Sequence, residues 1–407
     1  MGNTRTQSLR DSIRNFVPAW FTAIMGTGAI SLLFHIFPYG TGSKAFIAWT
    51  LVFFFLNLTL FIVISVMTAA RYIIYPKMWA LMINHPSQSL FVGTCPIGMC
   101  SLLSIAVSVV SDKYNFGGAP FLYAMWACWW LVVAMSVLCC WGIVHLMQKS
   151  QKYSLQNMTT IWLLPVVTLV VGSSTGGLFA QALKNSSHAS HALVTQVVSL
   201  FMLTIGLCLA STLLGVYIQR LIIVGMPHGL SVLSVFIPLG ATGQAGYSFI
   251  LAGEFFQDLL PLEYGDSGLL TDPSTGRTIN TIFVCIAFAL WALASMWMMF
   301  GVLAILDELR TTRIPFKVNY WGLIFPNGVY ANLTIILGNT FDSPFFRVWG
   351  SIYAVITLLL WCFVATKTIQ SVYNGTMFEI PKEEEISLQL PVVSPQTSMI
   401  SQTSTRY

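Results

Sequence analysis

Thr27 and Ser31, Thr94 and Ser101, Ser173, Ser174 and Thr175, Thr242, Gln244 and Ser248, and Asn327 and Asn332 are polar residues set inside long apolar runs. All are neutral hydroxyls or amides. Such groups offer hydrogen bonds to a desolvated anion without holding it as tightly as a fixed cation would. Aspartate, glutamate, lysine and arginine are absent from the middle of these runs, which argues against a proton relay built on a membrane-buried charge. His35 is the only histidine among them, lies near one end, and reads as structural. There is no glycine-rich phosphate loop, no paired-histidine zinc motif and no Ser/His/Asp set, so neither enzymatic activity nor a cofactor or metal is expected.

These polar groups need apolar elements to carry them. Of 407 residues, 56% are hydrophobic and 8% charged, too apolar for a soluble protein of this length to cover its own surface. Apolar runs near 18–38, 45–72, 90–110, 121–146, 159–181, 192–220, 229–252, 279–307, 318–339 and 345–372 predict ten membrane-spanning helices, an all-α integral membrane fold. A basic N-terminal tail, 1–17, precedes the transporter-like domain, 18–372. The Ser-, Thr- and Pro-rich stretch 373–407 is expected to be a disordered cytoplasmic tail.

Glycine and proline divide the ten runs into two kinds. The odd-numbered runs carry Pro18, Gly26 and Gly28; Gly93, Pro96 and Gly98; Pro165, Gly172, Gly176 and Gly177; Pro238, Gly240, Gly243 and Gly246; and Gly322, Pro326 and Gly328. The even-numbered runs hold no proline within those bounds and at most two glycines each. Irregular backbone at membrane depth is tolerated only where protein or water covers it. The alternation therefore predicts five helical hairpins, the odd member of each broken at its glycines and prolines and turned toward a central passage. Pore-lining or substrate-binding candidates are Thr27, Ser31, Thr94, Ser173, Ser174, Gln244 and Asn327.

With the N-terminus inside, 14 of the 19 lysines and arginines fall in inner segments, so both termini are expected to be cytoplasmic. Asn185, in the sequon Asn185-Ser186-Ser187, is then outside and open to glycosylation, beside an acidic outer loop carrying Glu263 and Asp266. The eight cysteines lie within apolar runs and read as small buried hydrophobes.

Four stretches, MGTGAISLLFHIFPYG at 25–40, FVGTCPIGMCSLL at 91–103, IPLGATGQAGYSFIL at 237–251 and YWGLIFPNGVY at 320–330, carry a family resemblance, joined by FFRVWGSIYAVI at 345–356. The chain resembles the tellurite-resistance/dicarboxylate transporter family, which includes the slow anion channels, and is most similar to its fungal sulfite-efflux branch. The resemblance implies five hairpins around a pseudo-fivefold central pore, assembly as a homotrimer with one pore per chain, and a phenylalanine gate at Phe325. It implies plasma-membrane efflux of sulfite or bisulfite, conferring sulfite tolerance. A malate-type dicarboxylate permease or a general small-anion channel is the alternative within transport, and a receptor or scaffold the alternative outside it. Small inorganic anions and membrane lipid are the expected partners, with no nucleic acid.

Overall fold

The computed structural model describes residues 9–40, 42–111, 113–149, 154–186, 189–262, 267–375 and 377. Residues 1–8 of the expected N-tail, 378–407 of the expected C-tail, Ser187 of the sequon, and Glu263 and Asp266 lie outside the described residues. The described residues are helical, with no strand among them. The long helices are α1 (Phe21–Ile36), α2 (Lys44–Ile74), α3 (Thr94–Ile105), α4 (Gly118–Val137), α5 (Leu164–Asn185), α6 (Ala189–Val224), α7 (Ile237–Leu259), α8 (Pro273–Thr311), α9 (Ile324–Thr340) and α10 (Pro344–Tyr373). With their flanking turns, nine helical segments among the described residues are long and apolar enough to cross a membrane. The remaining helix, α9, has 17 residues, 14 of them buried.

Burial follows the glycine and proline pattern. In the most apolar window of each segment, 67% to 94% of residues are buried for α1, α3, α5 and α7, against 17% to 39% for the even-numbered helices. The even helices instead expose large apolar side chains such as Phe55, Ile222 and Leu359, the surface a helix presents to lipid. Cys208, Cys285 and Cys362 are also exposed there, so three of the eight cysteines depart from the buried role expected of them.

Contacts among the odd-numbered helices close a cycle: α1 against α3, α3 against α5, α5 against α7, α7 against α9, and α9 against α1. Each even-numbered helix covers one seam of that cycle. α2 lies on α1 and α3, α4 on α3 and α5, α6 on α5 and α7, α8 on α7 and α9, and α10 on α9 and α1. Tryptophans fasten the two sets, since a buried indole N–H usually finds an acceptor. Trp129 Nε1 donates to the Gly172 carbonyl at 3.0 Å, Trp291 Nε1 to Thr334 Oγ1 at 2.9 Å, and Trp361 Nε1 to Thr27 Oγ1 at 3.1 Å.

The predicted helix breaks are resolved differently. Gly26, Gly28, Gly98, Gly176, Gly243 and Gly328 lie inside uninterrupted α-helix. The irregularity comes earlier: each odd-numbered helix is preceded by a 3-10 segment, Pro18–Trp20, Ser89–Gly93, Thr160–Leu163, Gly229–Phe236 and Val318–Leu323. These segments touch one another in the same cyclic order as the helices they lead into. Gly93 and Gly322 belong to them, while Pro96, Pro165, Pro238 and Pro326 sit in the first α-turn, where a missing N–H costs least.

The glycines serve close approach instead. A Cβ on Gly98 would lie 3.1 Å from Ile24, on Gly93 2.9 Å from the Leu164 carbonyl, and on Gly177 3.1 Å from Leu251. On Gly243 it would lie 3.0 Å from Val329, and on Gly328 2.8 Å from Ala29. Every seam of the cycle therefore holds a glycine where a larger residue would push the helices apart.

Two of the three charged side chains buried among the described residues, Arg71 and Glu308, anchor the ends. Arg71, 1% exposed, donates through Nη1 to the Phe16 carbonyl, so packing begins before residue 18 and includes Ile13 and Phe16 of the expected tail. Glu308, near the end of α8, accepts from the Gly229 N–H at 2.8 Å and the Thr312 hydroxyl at 2.5 Å, and contacts His228 Nδ1 at 3.1 Å. That carboxylate fixes the start of the 3-10 segment leading into α7.

A Cβ on Gly176 would meet the Trp129 ring at 2.5 Å, whereas at Gly322 it meets nothing within 4 Å. Gly176→Ala is expected to lower stability by about 1–3 kcal/mol through overpacking. Gly322→Ala is expected to stay within about 0.5 kcal/mol of the parent. Thermal unfolding of the detergent-purified protein measures both, and equal effects at the two positions would contradict the close packing of Gly176 against Trp129.

Candidate functional site

A small cavity lies where the five odd-numbered helices meet. Its lining comes from Gly28, Ala29 and Leu32 on α1, Cys100, Ser101 and Ser104 on α3, Val171 on α5, Gln244 on α7, and Phe325, Gly328, Val329 and Asn332 on α9. Its volume is about 30 Å³, room for a water or two and far less than a drug-sized ligand fills. Among the described residues, no carboxylate, lysine, arginine or histidine lines it. On α9 the lining residues fall at positions i, i+3, i+4 and i+7, one helical stripe. Phe325 is 6% exposed, and its ring lies against α7, with Cε1 3.7 Å from where a Cβ of Gly240 would stand.

Of the polar candidates drawn from sequence, Gln244 faces this cavity, and its Nε2 donates to Ser174 Oγ, which places Ser174 directly behind the lining. Ser173 is buried on the same helix and is not among the lining residues. Thr27, Ser31, Thr94 and Asn327 are also outside the lining, and other partners engage their side chains. Thr27 Oγ1 donates to the Ala23 carbonyl at 2.8 Å and accepts from Trp361; Ser31 Oγ donates to the Thr50 carbonyl at 2.8 Å. Thr94 Oγ1 donates to the Phe91 carbonyl at 2.5 Å. Asn327 is satisfied at both ends, Nδ2 donating to the Leu323 carbonyl at 2.7 Å and Oδ1 accepting from the Tyr353 hydroxyl at 2.6 Å.

The structure adds Ser104, which the sequence reading passed over. Its hydroxyl donates to the Cys100 carbonyl at 2.9 Å and lies 3.2 Å from Thr175 Oγ1, tying α3 to α5. Ser101 donates to the Gly98 carbonyl at 2.7 Å and accepts from Asn57 Nδ2 at 3.1 Å. The spacing of Ser101 and Ser104, on one helical face, is the signal that could have found the pair. Asn332, noted in the sequence as one neutral group among many, lies on the lining stripe of α9 with no hydrogen-bond partner among the described residues for either Oδ1 or Nδ2. An unmet buried polar atom costs roughly 1–3 kcal/mol.

Two further cavities differ from this one in their lining. A groove of about 520 Å³ among α2, α3 and α4 is lined by apolar side chains such as Phe54, Leu102 and Phe121, and offers nothing to hold an anion. A polar cavity of about 440 Å³ at the C-terminal ends of α1 and α5 is lined by His35, Ser108, Lys113, Gln181 and Asn185. Asn185 is exposed there as the last residue of α5. Beside it, Lys184 Nζ and Asp258 Oδ2 form an ion pair at 2.7 Å, joining α5 to α7.

Comparison with known proteins supplies a family. The profile of the voltage-dependent anion channel family matches residues 15–369. A sulfite efflux pump of Trichophyton rubrum is 29% identical over 368 residues, 90% of this chain and 93% of the relative. A sulfite efflux pump of Candida albicans is 25% identical over 376 residues, 86% of this chain and 73% of the relative. The malic acid transport protein of Schizosaccharomyces pombe is 22% identical over 401 residues, 97% of this chain and 86% of the relative.

The pairing of Asn327 with Tyr353 is a direct test of which amide supports the fold. Tyr353→Phe strands Asn327 Oδ1 and is expected to cost about 1–3 kcal/mol of stability. Adding Asn327→Leu to Tyr353→Phe should recover part of that loss in the same unfolding assay, because the stranded acceptor is then gone.

Proposed function

The chain belongs to the voltage-dependent anion channel family, and from that membership we propose that it is a plasma-membrane efflux pathway for sulfite in its monovalent hydrogen sulfite form. The family is one of channels and transporters rather than enzymes, and the apolar helices make this a multi-pass membrane protein. The observation that carries the substrate reading is the neutral central cavity, to which α1, α3, α5, α7 and α9 all contribute. Its amides, set in a wall without fixed charge, suit a monovalent anion that must enter and leave. The match to sulfite efflux pumps over about nine-tenths of the chain supports sulfite in particular.

In this reading the passage runs along a pseudo-fivefold axis through the cycle of odd-numbered helices, and the Phe325 ring closes it. Both termini are cytoplasmic, Asn185 faces outward as a glycosylation site, and the even-numbered helices meet lipid and neighbouring copies in a homotrimer. An inside-negative potential drives a monovalent anion outward by roughly 2.3 kcal/mol per 100 mV, so efflux needs neither ATP nor a fixed proton carrier. A malate-type dianion is the competing substrate, favoured by the likeness to the malic acid transport protein. That no cationic side chain among the described residues lines the cavity weighs against it.

Purified protein in liposomes under an imposed potential tests the substrate. Sulfite flux exceeding malate flux is the expected result; malate movement without sulfite movement would sink the proposal. In the same assay Phe325→Ala should raise anion flux by about tenfold or more, a barrier lowered by about 1.4 kcal/mol. Unchanged flux would mean that the ring packs between helices rather than closing the passage.

A further inference from the structure

Asn332 is 1% exposed and lines the central cavity, two helical turns beyond Phe325 on the same stripe of α9. Among the described residues it is the only buried side-chain amide whose oxygen and nitrogen both lack a hydrogen-bond partner. Asn327, five residues earlier on the same helix, has both ends engaged by Leu323 and Tyr353. The hydroxyls near it in the lining are committed too: Ser101 donates to Gly98 and Ser104 to Cys100. Asn332 thus brings to the cavity one unengaged donor and one unengaged acceptor on a single planar group.

We propose that Asn332 is a specificity-determining residue that selects singly protonated oxoanions. Its Nδ2 donates to an oxygen of the anion, and its Oδ1 accepts the anion's own O–H. An anion without a proton, such as nitrate or chloride, meets only the donor and leaves Oδ1 unsatisfied. A fully deprotonated dianion turns an unprotonated oxygen toward that acceptor and is repelled. Discrimination therefore comes from hydrogen-bond matching rather than from charge, which agrees with a lining that carries none. The inference rests on the proposed transport of hydrogen sulfite and assigns the group that recognises it.

The test compares the full-length parent with Asn332→Leu in liposomes, at a pH where sulfite is singly protonated, measuring hydrogen sulfite and nitrate flux under the same gradient. The parent should prefer hydrogen sulfite, and Asn332→Leu should lower the hydrogen sulfite to nitrate ratio by about tenfold, the effect of one lost hydrogen bond to a charged ligand. An unchanged ratio, or equal loss of both fluxes, overturns the assignment while the parent's sulfite flux still upholds the transport reading. No sulfite flux in the parent overturns the transport reading, and this assignment with it. Folding is followed separately: without substrate, Asn332→Leu should unfold at the same temperature as the parent or higher, because it removes two unsatisfied buried atoms. A lower unfolding temperature would mean that the amide has a structural partner, and would overturn the proposal.

Discussion

At each seam of the cycle formed by α1, α3, α5, α7 and α9, a glycine stands where any Cβ would press on the neighbouring helix. Hydrocarbon tails are as apolar as leucine, so helices in a membrane gain little by hiding from solvent. They associate through packing, and packing rewards the closest approach. The glycines allow that approach all the way round. The central cavity stays as small as about 30 Å³ because the helices around it are held this tightly. The even-numbered helices then lie over the seams, and the Trp129, Trp291 and Trp361 indoles fasten them to the inner set.

Polarity in the cavity is limited by a second constraint. Serine and threonine in a helix readily donate to a carbonyl three or four residues back, which spends their hydroxyl proton inside the helix. Thr27, Thr94, Ser101, Ser104 and Ser174 all do this. A passage lined by such residues presents lone pairs more than donors, and amides become the residues able to face an anion with N–H. Gln244 spends its nitrogen on Ser174, and Asn327 spends both ends on the fold. Chemistry is thereby concentrated at few positions, within an otherwise inert wall.

The sequence disclosed more of the fold than of the site. Alternation of glycine and proline separated buried from lipid-facing helices because both residue types answer to neighbours, and neighbours were what differed. It misjudged what those residues do: Pro326 and Pro238 mark the change from 3-10 to α-helix, and Gly328 and Gly243 admit an adjacent helix rather than break their own. The site was less legible, since a hydroxyl's direction depends on rotation about the helix axis that composition does not record. Asn327 and Asn332 look alike in sequence, five residues apart, yet one is consumed by Tyr353 and the other faces the cavity. Phe325 entered through resemblance alone, as one of 28 phenylalanines. Glu308 went unremarked because its partners at Gly229 and His228 lie about eighty residues away in sequence.

Helices α1, α3, α5, α7 and α9 of a single chain all contribute to the lining of the central cavity. This has a genetic consequence. Where a pore is shared between subunits, one faulty copy spoils every assembly it joins, and loss of function is dominant. On the proposed function, in which each chain carries its own passage, a faulty copy silences only itself, so inactive alleles are expected to be recessive and flux to scale with gene dosage. Greater capacity would then need only more copies or a stronger promoter, with no change to the protein.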